Sequence, residues 1–204
     1  ERLGLARLSW ENDVIAMRYA PVQRFGAVEV TPPPGAFLQA TVEGEAALLA
    51  AVKEAVGDAG HIADLFSGVG TFTFPLAEKA AVHAVEGEKD MIAALEHGWR
   101  MSKGLKPVTF AARDLYRRPL LPDELAKLDA VVIDPPRAGA ERQVAEIAKA
   151  KVPSIAYVSC NPVTFARDAA VLVAAGYVLN WIQVVDQFRW SSHVELAASF
   201  TLAE

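Results

Sequence analysis

The stretch IADLFSGVGTFTFPL, residues 62–76, determines the fold that the sequence predicts. It opens with a short apolar run, residues 62–66, of the length and composition of a buried strand. The turn SGVG at residues 67–70 follows, and a helical pattern begins at Thr71. A strand, a glycine turn and a helix in this order let the backbone approach a nucleotide-like ligand closely and direct free N–H groups at it.

Asp64 places a carboxylate near the end of this strand. A phosphate-binding loop normally avoids a fixed negative charge and often supplies a lysine, and this turn has neither that lysine nor a complete G-x-G-x-x-G. A neutral or cationic adenosyl compound fits better, and S-adenosylmethionine carries both a sulfonium and an amino group. The alternative is a tight strand-to-helix turn that binds no ligand.

The composition limits the classes of protein to consider. With 204 residues, 52% of them hydrophobic, the chain can form one domain with a packed core and a small appendage. No apolar run is long enough to cross a bilayer and no signal-peptide pattern opens the chain, so we expect a cytoplasmic protein without a membrane partner. The single cysteine, Cys160, excludes an internal disulfide and any multi-cysteine metal or iron–sulfur site, and we predict no metal. The net charge of −5 argues against a surface that is basic throughout.

Residues 1–35 differ in pattern from the rest, and we predict that they form a small β appendage. Its candidate elements are strands at residues 5–10, 14–19 and 25–30, with Glu11-Asn12-Asp13 as a hairpin turn. The proline-rich TPPPG at residues 31–35 cannot be helix or central strand, so it ends the appendage. Because the first residue is Glu1 rather than Met, the sequence is consistent with a piece of a longer protein.

In residues 36–204 strands and helices alternate, which predicts an α/β domain with a mostly parallel sheet covered on both faces. The predicted strands are residues 62–66, 81–85, 108–111, 130–133, 155–159, 177–185 and 194–202. The predicted helices are residues 41–56, 71–78, 89–102, 140–149 and 163–175.

Acidic or polar side chains follow successive predicted strands: Asp64, Glu86, Asp114, Asp134 and Cys160. In an open α/β sheet, the carboxyl ends of the strands form the edge where ligands bind. Any single carboxylate there can be a helix cap or a solvated loop residue, but four in succession beside the only cysteine favour a binding site. Glu86 is placed to accept from the hydroxyls of a ribose, and Asp114 to accept from the amino group of adenine.

Two stretches at this edge suggest chemistry. Asp134-Pro135-Pro136-Arg137 predicts a rigid, extended loop that holds its shape against a ligand, or else only a stiff link between a strand and a helix. Cys160 precedes a predicted helix, whose N-terminus favours a thiolate, and Arg137 or Arg167 would act in the same direction. The alternative is a small buried hydrophobic residue. Glu195, in an otherwise apolar strand, becomes a candidate base if Cys160 is a nucleophile.

These motifs resemble those of the RNA 5-methyluridine (uracil-5-) methyltransferases. The matching stretches are DLFSGVGTF at residues 64–72, DPPRAG at 134–139, SCNPVTFARD at 159–168 and HVE at 193–195, in the family's order. The resemblance covers about residues 36–204 and implies a class I (Rossmann-like) methyltransferase catalytic domain with S-adenosylmethionine as the methyl donor. It also implies Cys160 as nucleophile and Glu195 as base. The implied cofactor site is lined by Gln39, Phe66, Gly68, Gly70, Glu86, Asp114 and Asp134.

We therefore predict an enzyme that methylates C5 of uridine in tRNA or rRNA through a covalent bond between Cys160 and C6, with RNA as its partner. One alternative is RNA cytosine-5 methylation, whose enzymes place a cysteine after the proline of the fourth-strand loop, where this chain has Pro136 and Arg137. Another is a module that binds S-adenosylmethionine or RNA without catalysis. Many members of the resembled family carry an N-terminal oligonucleotide-binding barrel and some a four-cysteine iron–sulfur site, and this sequence shows neither pattern.

Overall fold

The structure, a computed structural model, describes residues 3–11, 13–188 and 190–203. The strands are β1 (Arg7–Trp10), β2 (Asp13–Met17), β3 (Gln23–Phe25), β4 (Val28–Val30), β5 (His61–Leu65), β6 (Ala81–Glu86), β7 (Val108–Ala112), β8 (Ala130–Ile133), β9 (Ser154–Ser159), β10 (Tyr177–Val185) and β11 (Glu195–Leu202). The helices are α1 (Val42–Val56), α2 (Thr73–Ala77), α3 (Lys89–Met101), α4 (Pro122–Leu125), α5 (Glu141–Ala150) and α6 (Pro162–Ala174).

Seven of these strands form one sheet in the order β10-β11-β9-β8-β5-β6-β7. The five strands from β9 to β7 run parallel, whereas β11 pairs antiparallel with both β9 and β10. The predicted α/β fold with a mostly parallel sheet is confirmed. Because the chain runs from β5 out to β7 and then returns to β8 on the other side of β5, the strand order reverses there. A ligand crevice is expected at the carboxyl ends of the strands at such a point.

The core lies on both faces of this sheet, which explains why its central strands read as continuous apolar runs. All four residues of β8 are buried. Successive side chains of a strand point to opposite faces, so Leu65 packs with Tyr157 and the α5 and α6 side chains, while Ile62 packs with Val52 of α1. The sheet is thus held between two helical layers, and its carboxyl edge is left for loops.

The predicted N-terminal β appendage consists of two separate antiparallel hairpins, β1–β2 and β3–β4. Asn12 of the predicted first turn lies outside the described residues. The prediction of one strand over residues 25–30 is wrong, because the chain reverses at Gly26, whose φ of +57° suits a tight turn. Phe25 and Val28 share a hydrophobic cluster with Leu95 of α3, so the second hairpin packs onto the α/β domain. The division of the chain at residue 35 stays a prediction.

Most predicted elements are found within two residues of their expected ends. The short α4 was not predicted, because a single helical turn carries too few positions to show a period. Among the described residues, no helix combines the length and the apolar character that a membrane span requires.

Candidate active site

The parallel strands bring the predicted site residues to one edge of the sheet. Asp64 lies next to the end of β5, Glu86 ends β6, Asp134 directly follows β8 and Cys160 directly follows β9. β11 runs in the opposite direction and therefore begins at this edge, with Glu195 as its first residue. Residues far apart in the chain thus meet in one cluster because of the topology.

Cys160 and Glu195 both lie where the β9–β11 ladder ends. Its last pair is Leu196 with Ser159; Cys160 directly follows Ser159, and Glu195 directly precedes Leu196. The charge of Glu195 raises the pKa of the Cys160 thiol, so the two groups lie within electrostatic reach of each other. A thiol and a carboxylate are therefore present together at this edge of the sheet.

The glycine turn after β5 adopts left-handed backbone conformations that its glycines permit. At Gly70 (φ +101°) a Cβ atom would overlap the Phe74 ring, so glycine is needed for packing. At Gly68 (φ +56°) a Cβ would meet no described atom within 4 Å, so the space beside this residue is open. This open side of the turn is where a ligand can approach the backbone.

Glu86 ties the glycine turn to the start of α3. Its Oε2 accepts a hydrogen bond from the Gly68 amide (2.9 Å), and its Oε1 accepts one from the Glu88 amide (3.0 Å). Each carboxylate oxygen can accept a further bond. The carboxylate is therefore fixed in orientation while keeping the capacity to bind hydroxyl groups.

Phe66 and Tyr116 form an aromatic pair at the same edge. Phe66 has φ +61°, a strained conformation for an aromatic residue, and its ring centroid lies 5.5 Å from that of Tyr116. The Tyr116 amide donates to Asp114 Oδ1 (2.9 Å), and Arg142 Nη1 donates to the Tyr116 carbonyl (2.9 Å). Asp114 thus shapes the loop that presents Tyr116. Sequence reasoning missed Tyr116, although an aromatic residue two positions after a strand-end acid is a detectable signal.

Two buried polar atoms beside the turn lack partners. Asp64 Oδ2 accepts a hydrogen bond from Thr73 Oγ1 (2.5 Å), but within the described chain neither Asp64 Oδ1 nor Ser67 Oγ has a hydrogen-bond partner. Burial raises the pKa of Asp64 to about 7, against the hydrogen bond from Thr73, which lowers it. Buried polar groups are normally paired, so these orphan atoms fit a polar, cationic group bound at the turn.

The acids at the end of β8 and the start of β11 also have raised pKa values. Burial, then the charges of Glu195 and Asp64, raise the pKa of Asp134 to about 8. Glu195 is only 3% exposed, and burial raises its pKa to about 7 while Arg137 opposes the shift. The ionised forms of these carboxylates are disfavoured by burial and by one another, and a bound cation would stabilise them.

The prediction that the surroundings of Cys160 favour a thiolate is wrong, although Arg137 acts in the predicted direction. Burial and the charges of Glu195 and Asp134 raise the pKa of the Cys160 thiol, and Arg137 only partly opposes them. α6 begins at Pro162 with Asn161 as its N-cap, so Cys160 lies outside the helix whose N-terminus was expected to help. Arg167 is not available either, because it bonds to Asp168, as described below.

The S-C-N-P-x-T motif joins the start of α6 to the D-P-P-R loop. Asn161 Oδ1 accepts from the Val163 amide (3.1 Å) as the N-cap, and Asn161 Nδ2 donates to the Arg137 carbonyl (2.9 Å). Thr164 Oγ1 donates to the same carbonyl (3.1 Å). The loop that carries Asp134 and the residue that follows β9 are therefore held in fixed relation.

A second set of contacts joins the end of the DPPRAG motif, Gly139, to the end of the SCNPVTFARD motif, Arg167 and Asp168. Asp168 is fully buried, and its Oδ2 accepts from the Ala140 amide (2.7 Å) and the Tyr157 hydroxyl (2.6 Å). Arg167 Nε donates to Asp168 Oδ1 (2.8 Å). Gly139 has φ +74°, and a Cβ there would lie 2.6 Å from Arg167 Nη2 and 2.8 Å from Asp168 Oδ2. These motif residues therefore support the site rather than contact a ligand.

Gln39 lies at a contact that the sequence did not reveal. Its Oε1 accepts a hydrogen bond from Gln187 Nε2 (2.8 Å), and Gln187 Oε1 accepts one from the Thr41 amide (3.3 Å). The buried Gln187 belongs to the loop before β11, so this pair connects the entry to α1 with the loop that leads to Glu195. The role of Gln39 as a cofactor ligand stays a prediction.

Comparison with known proteins agrees with this geometry. A family model described as tRNA (Uracil-5-)-methyltransferase matches residues 113–201, a range that includes Cys160 and Glu195. An uncharacterised RNA methyltransferase of Brucella suis is 53% identical over 196 residues, or 96% of this chain and 47% of that protein. The 23S rRNA (uracil(1939)-C(5))-methyltransferase RlmD of Shewanella sp. is 36% identical over 180 residues, or 87% of this chain and 40% of that protein. The chain spans about half the length of the curated relatives it matches.

A solved structure extends the likeness to the fold. The tRNA (uracil-54, C5)-methyltransferase of Pyrococcus abyssi, crystallised with S-adenosyl-L-homocysteine, superposes with a TM-score of 0.79 at 29% identity, covering 93% of this chain and 46% of that one. The strand order, the glycine turn and this neighbour define the fold of a class I S-adenosylmethionine-dependent methyltransferase. Within that class, the sequence is similar to that of RNA uracil-5 methyltransferases, which confirms the resemblance predicted from its motifs.

Proposed function

We propose that this chain is the catalytic domain of an enzyme that transfers a methyl group from S-adenosylmethionine to C5 of uridine in RNA. The observation that carries the proposal is that Cys160 and Glu195 lie together where the β9–β11 ladder ends, at the edge of the sheet that also holds the glycine turn. The rRNA and tRNA enzymes that the chain resembles are named for methylation of uracil at C5, which supports the same reaction.

The residues of the crevice fit S-adenosylmethionine. The carboxylate of Glu86 would accept from the ribose hydroxyls, and Asp114 from the adenine amino group. The partnerless Asp64 Oδ1 and Ser67 Oγ would accept from the amino group, and the carboxylates nearby would stabilise the positive charge. When bound, S-adenosylmethionine supplies an electrophilic methyl group.

Cys160 would act as the nucleophile. Uracil C5 is too weak a nucleophile to take a methyl group directly, so Cys160 Sγ adds to C6 and the electron pair of the C5=C6 bond becomes an enolate. C5 would then form a bond to the methyl carbon as the bond from that carbon to the sulfonium sulfur breaks, which leaves S-adenosylhomocysteine. Because the pKa of the thiol is raised in the free protein, the environment of Cys160 must change, or its proton must pass to a neighbouring base, before attack.

Glu195 would complete the reaction as general base. It takes the proton from C5, the C5=C6 bond re-forms and the C6–S bond breaks, which returns the electron pair to Cys160. A general base works best with a pKa near the operating pH, and burial gives Glu195 a pKa of about 7. Reaching C5 and C6 in structured RNA requires the base to be unstacked or flipped.

The test is transfer of a labelled methyl group from S-adenosylmethionine to bulk RNA, followed by digestion to nucleosides. Label in 5-methyluridine supports the proposal, and its loss in Cys160→Ala ties it to this site. Label in 5-methylcytidine would favour the cytosine alternative, and binding of S-adenosylmethionine with no transfer would favour a non-catalytic module. Separate reactions with tRNA and with rRNA decide between the two RNA classes.

A further inference from the structure

The connection between β10 and β11, described at residues 186–188 and 190–194, presents a fully exposed tryptophan. Trp190 has 103% relative exposure, whereas Trp99 and Trp181 pack against the core. Its φ is +68°, a conformation that costs energy for a bulky residue. Exposing a large aromatic ring in a strained backbone conformation is unfavourable for folding. A ligand that packs against the indole would explain why this arrangement is present.

Contacts on both sides of Trp190 hold this loop. On one side Gln187 donates to Gln39 (2.8 Å). On the other, the His193 amide donates to Ser191 Oγ (3.1 Å), and His193 Nδ1 lies 3.0 Å from Arg137 Nη1. Trp190 is therefore presented from a segment that is attached at both ends to the walls of the candidate active site.

The segment that carries Trp190 leads directly into the strand that begins at the reaction centre. β11 begins at the edge where β9 ends, and Trp190 precedes Glu195 by five residues. The side chain of Arg137, from the D-P-P-R loop, supplies a positive charge next to His193. Aromatic side chains next to cationic groups are what sequence-tolerant binding of single-stranded nucleic acid uses.

We propose that Trp190 stacks on an unpaired RNA base that neighbours the target uridine. The inference rests on the proposed function, because it takes RNA to be what binds at the Cys160 edge. A uridine withdrawn from a stack leaves its neighbour without a partner, and the exposed indole replaces the lost contact.

The surroundings of Trp190 favour a nucleic acid base over a protein surface. The residues that follow it, Ser191, Ser192 and His193, are polar and exposed. A stable protein–protein interface buries about 800 Å² on each partner, far more than one exposed indole provides. Phe188 of the same connection is half-buried and its ring lies 6.2 Å from that of His193. The fully exposed aromatic face is therefore that of Trp190, which matches the size of one base.

The matched control is Trp10, on β1, which is also exposed (75%) but lies outside this loop. The variants Trp190→Ala, Trp190→Phe, Trp10→Ala and Trp10→Phe are made in a Cys160→Ala background, so that no turnover occurs. The probe is a single-stranded RNA of about 12 nucleotides with one central uridine, a length within the range that such sites cover. Affinity is measured at low salt with S-adenosylhomocysteine present.

Trp190→Ala is expected to bind this RNA about five- to a hundred-fold more weakly, the loss associated with one stacked base. Trp190→Phe should retain most of the affinity, and Trp10→Ala should match the parent. In the parent the RNA should also quench indole fluorescence, and that quenching should be lost in Trp190→Phe and kept in Trp10→Phe. Thermal melting of each variant confirms that the substituted protein is folded.

Equal RNA affinity of Trp190→Ala and its parent would overturn the inference, as would quenching that persists in Trp190→Phe or the absence of any RNA binding by the parent. Methyl transfer by the chain with Cys160 intact is measured separately. If methyl transfer to RNA succeeds while Trp190→Ala binds as the parent does, only the stacking role fails. If RNA binding depends on Trp190 while no uridine is methylated, the proposed function fails, and what stands is that Trp190 stacks on an RNA base, without a target uridine as its neighbour.

Discussion

Glu195 and Cys160 both lie directly beyond the Leu196–Ser159 pair that ends the β9–β11 ladder. The antiparallel insertion of β11 next to β9 produces this relationship, because it brings the start of one strand to the end of the other. A parallel strand in the same place would present its own carboxyl end there instead. The chemistry proposed for the site therefore depends on the direction of one strand.

Replacing Glu86 with alanine should weaken binding of S-adenosylmethionine about ten- to a hundred-fold. The lost charge-assisted hydrogen bonds correspond to about 1.5–3 kcal/mol. Isothermal titration calorimetry measures the change. Glu88→Ala is the control, because this exposed carboxylate is close in sequence but only its backbone amide contacts Glu86. Equal affinities of Glu86→Ala and the parent would remove Glu86 from the cofactor site.

Replacing Gly139 with alanine should lower the free energy of unfolding by about 1–3 kcal/mol. The new Cβ would be strained by φ +74° and would also press on Arg167 and Asp168. Gly104→Ala separates these effects, since Gly104 has φ +80° with no described atom within 4 Å of a Cβ. It should lose only about 1 kcal/mol. Urea denaturation measures both free energies of unfolding. If the two variants lose the same amount, the new Cβ at residue 139 does not destabilise the protein through its contact with Arg167 and Asp168.

Stability should fall as the pH rises from about 4 to about 8. The pKa of Asp64 is raised to about 7 and that of Asp134 to about 8, above their values in the unfolded chain. The folded state therefore holds protons that the unfolded state has already released, and raising the pH favours unfolding, by about 1.4 kcal/mol for each unit of pKa difference at most.

Urea denaturation at about pH 5 and about pH 8 measures this slope. In Asp134→Asn the free energy of unfolding should depend less on pH, because asparagine does not titrate. This change in slope is expected whether or not the substitution also alters stability at any one pH. A slope that is unchanged in Asp134→Asn would show that Asp134 ionises normally in the folded protein. S-adenosylmethionine should oppose the destabilisation at high pH, because its positive charge favours ionised carboxylates.

The sequence predicted the elements of the sheet and the residues at its carboxyl edge, because strand periods, glycine turns and strand-end acids are local signals. The electrostatics of Cys160 could not be predicted in the same way. They depend on how deeply the thiol is buried and on carboxylates that arrive from β8 and β11, which are distant in sequence. The contact between Gln39 and Gln187 was missed for the same reason, since 148 positions separate the two residues.

The roles of Asp168 and Gly139 could not be predicted from the sequence either. Both lie in motifs that carry the family resemblance, yet their contacts are with each other's segments and with Tyr157. The sequence motif alone does not show whether a residue takes part in the chemistry or only supports the structure. Only the contacts distinguish the residues that would meet substrate from those that position them.

The proposed roles of Cys160 and Glu195 predict that their variants stop at different steps. Cys160→Ala should form no covalent adduct with RNA and transfer no methyl group, because nothing adds to C6. Glu195→Gln keeps the shape of the side chain but cannot take the C5 proton, so addition and methyl transfer proceed while release stalls. The loss of a positioned base typically slows its step about a hundred- to ten-thousand-fold.

The two outcomes are distinguished by denaturing gel electrophoresis of protein incubated with RNA and methyl-labelled S-adenosylmethionine. Glu195→Gln should accumulate a slow-migrating species that contains protein, RNA and label, because the C6–S bond cannot break until the C5 proton has gone. In the double variant Cys160→Ala, Glu195→Gln this species should be absent, which shows that Cys160 forms the bond. Normal turnover by Glu195→Gln, or a denaturation-resistant adduct in Cys160→Ala, would contradict the assignment, since either result requires another base or another nucleophile at this edge of the sheet.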